Sequence, residues 1–299
     1  MPSAEQYLKP EIIAKVRRLD LKARFIVEGF IQGMHSSPFH GFSTEFSEHR
    51  KYVPGDDIRT IDWSVYAKTD RYYIKKFRAE TNMVCNLVVD TSASMGYRFR
   101  DSVSKLEYCI YLAAAMGYMM INQQDSVGLI TCDNALRQNL PPRSKRSHLV
   151  NILATLAATR PGETTGLGNS LQQVAAMVNK RGLIVLLTDL LDDEEEVMQG
   201  LHCLKFYGHD IIVFHVLHEM ERTLAMDGNV RFEDMETGQR VQAAPDAIRK
   251  TYRQRIESFI EGYRQRCLEL NIDYVDLDTS IPFDTALTRF LVNRAKYSL

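Results

Sequence analysis

The sequence predicts an α/β fold, a doubly wound and mostly parallel sheet with helices on both faces. Three observations predict it. From residue 83 onward, short apolar β-type runs alternate with longer stretches of helical periodicity, the pattern of repeated strand–helix units. Several of the helical stretches have legible ends. Two of the apolar runs stop abruptly in an aspartate, as buried strands do on reaching the carboxyl edge of a sheet.

Taken in order, residues 11–33 carry Ile12, Val16, Leu19 and Ala23 on one stripe, with Gly33 as a stop. This N-terminal helix is rich in charge and is expected outside the core. Residues 35–83 differ in texture. They hold a Pro54-Gly55-Asp56-Asp57 turn, the β-type run 71–77, charges of both signs and Trp63, the only tryptophan. The composition favours an ordered ion-pair network over a partner-binding surface in this β-rich extension. Thereafter strands are predicted at 84–90, 127–131, 183–188, 211–217 and 272–277. Helices are predicted at 104–121, 146–159, 167–180, 192–206, 246–270 and 283–296. Ser104 opens one helix, Arg181-Gly182 closes another and Gly208 a third. Between 228 and 244 the alternation breaks for a β-hairpin with Thr237-Gly238 near its turn. The expected organisation is a helix and extension over 1–82, packed on an α/β domain over 83–299 with that hairpin inserted.

Bulk composition narrows the function classes. Lys+Arg number 37 against Asp+Glu 38, so no global pull toward nucleic acid or anionic membrane is expected. The longest apolar run, 110–121, is too short for a bilayer span, and the N-terminus lacks signal-peptide regions. Five cysteines without a CxxC pair fall in strand-like or helix-like segments, as reduced core thiols do. Together these features predict a soluble cytoplasmic protein.

The candidate chemistry begins at Asn86-Leu87-Val88-Val89-Asp90-Thr91-Ser92-Ala93-Ser94. An Asp-x-Ser-x-Ser loop at a strand's carboxyl end offers one carboxylate and two neutral oxygens to one point, which suits a hard cation such as Mg²⁺. Equally, Ser92 and Ser94 could simply cap the next helix. At 183–193 a second buried run ends in Asp189, preceded by Thr188. At 161–171 a Gly-containing loop carries Thr164 and Thr165 just before a helix. If the two strands are neighbours, Asp90, Ser92, Ser94, one of the threonines and Asp189 converge. Two carboxylates and three hydroxyls would leave a divalent ion incompletely satisfied and open to a carboxylate from outside.

This pattern resembles the metal-ion-dependent adhesion site of von Willebrand factor A domains. That resemblance implies Asp90, Ser92, Ser94, Thr165 and Asp189 as ligands of Mg²⁺, with Mn²⁺ or Ca²⁺ as substitutes. Thr165 is preferred to Thr164 by its spacing to Leu171. The run from Gly41 to Trp63, ending in Gly55-Asp56-Asp57-Ile58-Arg59-Thr60-Ile61-Asp62-Trp63, resembles the signature of the bacterial family called domain of unknown function 58, in its short soluble form. The segment from Phe232 to Gly238 is similar to the same family. The resemblance implies a protein-binding module that partners a MoxR-type AAA+ ATPase. It would act on an unknown client in protein maturation or assembly, through an acidic residue of the partner.

Rival readings are weaker. A haloacid-dehalogenase-like phosphatase wants a second aspartate two residues after the first, and position 92 is Ser. A Mg²⁺-dependent phosphoesterase thus stays a minor alternative. Neither a Gly-x-Ser-x-Gly elbow nor a Walker A sequence is present, so the chain is not expected to be an enzyme. His209, His215 and His218 need not converge on a metal. The main alternative is a metal-independent scaffold that binds partners through residues 45–78.

Overall fold

The computed structural model describes residues 43–52, 61–80, 83–162 and 165–281. The predicted helices at 11–33 and 283–296, and most of the Gly55–Trp63 run, lie outside them. The described residues fall into two compact units, one within Ser37–Met83 and one from Val84 onward.

The smaller unit, within residues 37–83, contains strands β1 (Ser43–Lys51) and β2 (Tyr73–Glu80) with helix α1 (Trp63–Thr69) between them. The strands pair antiparallel, with a bulge between Phe46 and Glu48. Asp62 opens α1 by accepting the Val65 N–H on Oδ1 at 3.3 Å, a helix-capping role. Trp63 is 57% exposed, and Tyr72 is exposed as well. Tyr66 stacks on Tyr72 with centroids 4.6 Å apart, while Trp63 meets the Tyr66 ring edge-on. Trp63 and Tyr72 thus stand exposed on either side of a half-buried Tyr66.

The larger unit is the predicted α/β body. Its strands are β3 (Val84–Asp90), β4 (Ser126–Cys132), β5 (Leu136–Arg143), β6 (Leu183–Thr188), β7 (Asp210–Leu217) and, after a hairpin, β10 (Asp273–Asp278). The hairpin is β8 (Val230–Glu233) with β9 (Arg240–Ala243). The six-stranded sheet runs β10-β7-β6-β3-β4-β5, and every pair is parallel except β4 with β5. Strand β5 has no counterpart in the sequence reading. Its LRQNLPPR run lacks alternation and holds two prolines, which only an edge strand tolerates.

Side chains alternate across the sheet with the period of two that a pleated strand imposes. Val88, Ile130, Ile184, Leu186, Ile211 and Val213 bury one face against α4 (Leu167–Met177), α5 (Glu194–Phe206) and α7 (Pro245–Glu269). On the other face, Leu87 meets α2 (Lys105–Asn122) at Gly117, where Leu149 and Ile152 of α3 (Arg146–Ala158) also approach. A short α6 (Glu219–Thr223) follows β7.

Most predicted punctuation lies where it was read. Ser104 makes a capping box with Glu107, and Gly208, with φ +81°, follows α5. Gly182 has a different duty. Helix α4 already ends at Met177, and a Cβ on Gly182 would lie 2.2 Å from the Val84 carbonyl. Its missing side chain lets β6 start beside β3. The five cysteines are unpaired, and all but Cys203 are buried. Among the described residues, no helix is long and apolar enough to cross a membrane.

Candidate metal centre

Chain order reverses between β3 and β6: the chain builds β4 and β5 on one side of β3, then crosses back to lay β6 on the other. Such a switch point opens a crevice at the carboxyl ends of the two strands. Asp90 ends β3 and Asp189 immediately follows β6, so both reach that crevice.

Asp90 is 1% exposed. Its Oδ1 accepts the Ser92 N–H at 2.8 Å, and its Oδ2 accepts the Thr188 hydroxyl at 2.6 Å. Burial and then the nearby Asp189 charge push its carboxyl up to about 7, against the pull of the Thr188 and Ser92 hydrogen bonds. Ser92 is fully buried, and its Oγ lies 3.1 Å from Oγ of Ser94. These serines flank and enter a 3₁₀ turn, Ala93–Gly96, but the Ser92 hydroxyl makes no capping bond to it. The capping alternative therefore fails for Ser92, whose hydroxyl is engaged by Ser94 and Asp90 instead.

Asp189 is also 1% exposed. Its Oδ1 accepts the Leu191 N–H at 3.1 Å. Burial would raise its carboxyl, but the Lys105 charge and hydrogen bond outweigh that. With help from Ser94 and the Leu191 N–H, they hold it below the usual carboxylate range. The residue between, Leu190, is buried in the left-handed region at φ +57°, a strained conformation for a leucine. Its N–H donates to the Thr188 hydroxyl at 3.0 Å.

Thr165 sits in the loop before α4; Thr164 lies outside the described residues. The loop is fastened to the crevice at Gly162, whose N–H donates to the Thr91 carbonyl at 2.6 Å. A Cβ on Gly162 would stand 2.4 Å from Asp133 Oδ2, so any side chain there would push the Asp133 carboxylate aside. The Thr165 hydroxyl donates to the Glu236 carboxylate of the β8–β9 hairpin. Thus Asp90, Ser92, Ser94 and Asp189 form one cluster. Among the described residues, no hydrogen bond joins Thr165 to those four.

Lys105 is the residue that the sequence reading missed. It is fully buried, and its Nζ donates to Asp189 Oδ2 at 2.7 Å and to Glu221 Oε1 at 2.6 Å. Desolvation would lower the ammonium, but the two carboxylates reverse this and hold it above the usual lysine value. A signal existed. Lys105 opens a helix that is apolar from Tyr108 to Ile121, at the end where the helix dipole disfavours a cation. Such a lysine needs a buried anion nearby.

The donor chemistry fits a hard cation. Asp90 is the unbalanced group, because its donors are all neutral, the Ser92 amide and the Thr188 and Ser92 hydroxyls, while Lys105 is committed to Asp189 and Glu221. A divalent ion against Asp90, Ser92 and Ser94 would supply the missing positive charge. Among the described residues, no group of three or more His, Cys, Asp or Glu side chains could hold a metal ion, and the expected set has only two carboxylates. The third strand-end acid, Asp133, is engaged by Arg137 at 2.7 Å. The histidines serve separate contacts: His215 with the Tyr274 hydroxyl, and His218 with Ser102 at 2.9 Å. The acidic run caps α5, with Asp193 accepting the Glu196 N–H at 3.0 Å.

The model of a family described as protein of unknown function DUF58 matches residues 48–259. The chain belongs to the DUF58 family. It is 28% identical over 233 residues to uncharacterized proteins of Mycobacterium tuberculosis and Mycobacterium bovis, covering 77% of this chain and 72% of theirs. Among solved structures, this DUF58 chain is similar to BatB from Bacteroides thetaiotaomicron, at 16% identity and TM-score 0.45 over 72% of this chain and 99% of that one. It is also similar to an aerotolerance-related membrane protein from Bacteroides fragilis, at 18% identity and TM-score 0.47 over 71% and 99%.

Proposed function

We propose that this DUF58 protein is a divalent-cation-dependent protein-binding module. Asp90, Ser92 and Ser94 would hold the ion with Asp189 and Thr165, Mg²⁺ being the natural occupant. Bound there, the ion would present an electrophilic face to a carboxylate. The resemblances read in the sequence supply the partner class, a MoxR-type AAA+ ATPase working on a client protein.

The single observation that supports this reading best is the buried, uncompensated Asp90 beside two serine hydroxyls at the switch point. An isolated buried carboxylate is costly unless something positive accompanies it. The role of the chain's own residues is to hold the ion at the crevice, keep Asp189 ionised through Lys105 and exclude bulk water. A pull-down of the ATPase from cell extract tests the partner. Capture should be lost with chelator and in Asp90→Ala, and restored to wild type by Mg²⁺. Capture that ignores both treatments contradicts the proposal.

Two observations favour a metal-independent scaffold instead. Lys105 already places a positive charge on Asp189, and Trp63 and Tyr72 leave an open aromatic surface on the smaller unit. Under that reading, Trp63→Ala removes capture while Asp90→Ala leaves it intact.

A further inference from the structure

The hairpin β8–β9 brings an acidic residue to the rim of this centre. Its turn is braced by Asp234, whose Oδ1 accepts the N–H groups of Glu236 and Thr237, each at 2.8 Å. The Gly238 N–H closes onto the Asp234 carbonyl at 2.9 Å. Arg240 pairs with Glu233 across the two strands at 3.0 Å. Preorganised in this way, the tip touches the candidate site at two separate places. Glu236 accepts the Thr165 hydroxyl. Met235 Cε lies 3.4 Å from where a Cβ on Gly96 would be, and Gly96 ends the 3₁₀ turn that carries Ser94.

We propose that the acidic residue completing this site comes from the chain itself: Glu236 takes the place that an external carboxylate would otherwise take, and a partner must lift the hairpin to dock. The inference rests on the cation reading above. A carboxylate hydrogen-bonded to one ligand-bearing loop, on a tip whose neighbouring Met235 rests against the other, needs little reordering to reach the ion. That preorganisation lowers the cost of binding. The same contact makes the hairpin a competitor for any acidic partner, so docking exchanges one carboxylate for another.

The test uses the full chain and Mn²⁺ as probe, with affinity read by calorimetry and inner-sphere water by water-proton relaxation. Hydrogen exchange of residues 230–243 is followed with and without the ion. Glu236→Gln should still bind Mn²⁺, about tenfold more weakly for the loss of one carboxylate ligand. Relaxation per bound ion should rise, because water fills the vacated position. The hairpin amides should exchange faster whether or not Mn²⁺ is present. Glu257→Gln, on the exposed face of α7, should match wild type in all three. Wild-type affinity and relaxation in Glu236→Gln would overturn the inference while leaving intact an ion that Asp90→Ala abolishes. Absence of Mn²⁺ binding in the unaltered chain would overturn the cation reading itself, and this inference with it.

Discussion

Asp90 and Lys105 pull the centre in opposite directions, and two substitutions separate them. In Asp90→Asn the buried charge disappears; the Ser92 N–H keeps the amide oxygen, and the Thr188 hydroxyl, which bonds the other carboxylate oxygen in wild type, can turn to accept from the new amide N–H. This variant should gain about 1–2 kcal/mol without cation. It should melt a few degrees higher, while losing any stabilisation by Mg²⁺. Lys105→Met should instead cost about 3–5 kcal/mol, since it leaves Asp189 buried without its cation. Mg²⁺ should then raise its melting temperature by more than it raises that of wild type; an equal rise would separate the lysine from the ion site. His215 supplies the acid limb of stability. Burial lowers its imidazole to about 4, so the native state refuses a proton that the unfolded chain takes up below about 6.5. Stability should fall between about pH 6.5 and 4, by on the order of 3 kcal/mol more in wild type than in His215→Gln. Parallel denaturation profiles for the two would refute that assignment.

Among the elements, the strands and helices with regular apolar patterning were readable, because burial on both faces writes a near-continuous apolar run into a parallel strand. The elements that were missed or misread answer to neighbours instead. Strand β5 is an edge strand with two prolines, paired through β4 alone, so its own sequence carries little β signal. Gly182 read as a helix stop, yet its duty is toward Val84, distant in sequence. Gly182→Ala should therefore cost about 2–3 kcal/mol, measured by denaturant unfolding, through a clash with backbone that cannot move aside. A near-neutral result would mean that β6 can shift in register. The solvent-facing Trp63 predicts the reverse, a loss below about 1 kcal/mol for Trp63→Ala.

At the scale of the whole molecule, the site was legible where it depends on strand ends and illegible where it depends on tertiary proximity. Asp90 and Asp189 could be paired from sequence because both terminate buried runs, and parallel neighbours end at one edge. Lys105, Glu221 and Glu236 could not, since helix packing and a hairpin bring them in from far along the chain. Thr165 falls between the two. Its loop was identified as part of the site, and the structure gives its hydroxyl to Glu236. Lys105 offsets Asp189 and Glu221 and leaves Asp90 without a cationic partner, and under the proposed reading a divalent ion would supply that charge. Titration calorimetry with Mg²⁺ tests this most directly. Wild type should give saturable heat of binding that is absent in Asp90→Ala; a flat titration for wild type, or an unchanged one for the variant, would contradict the account.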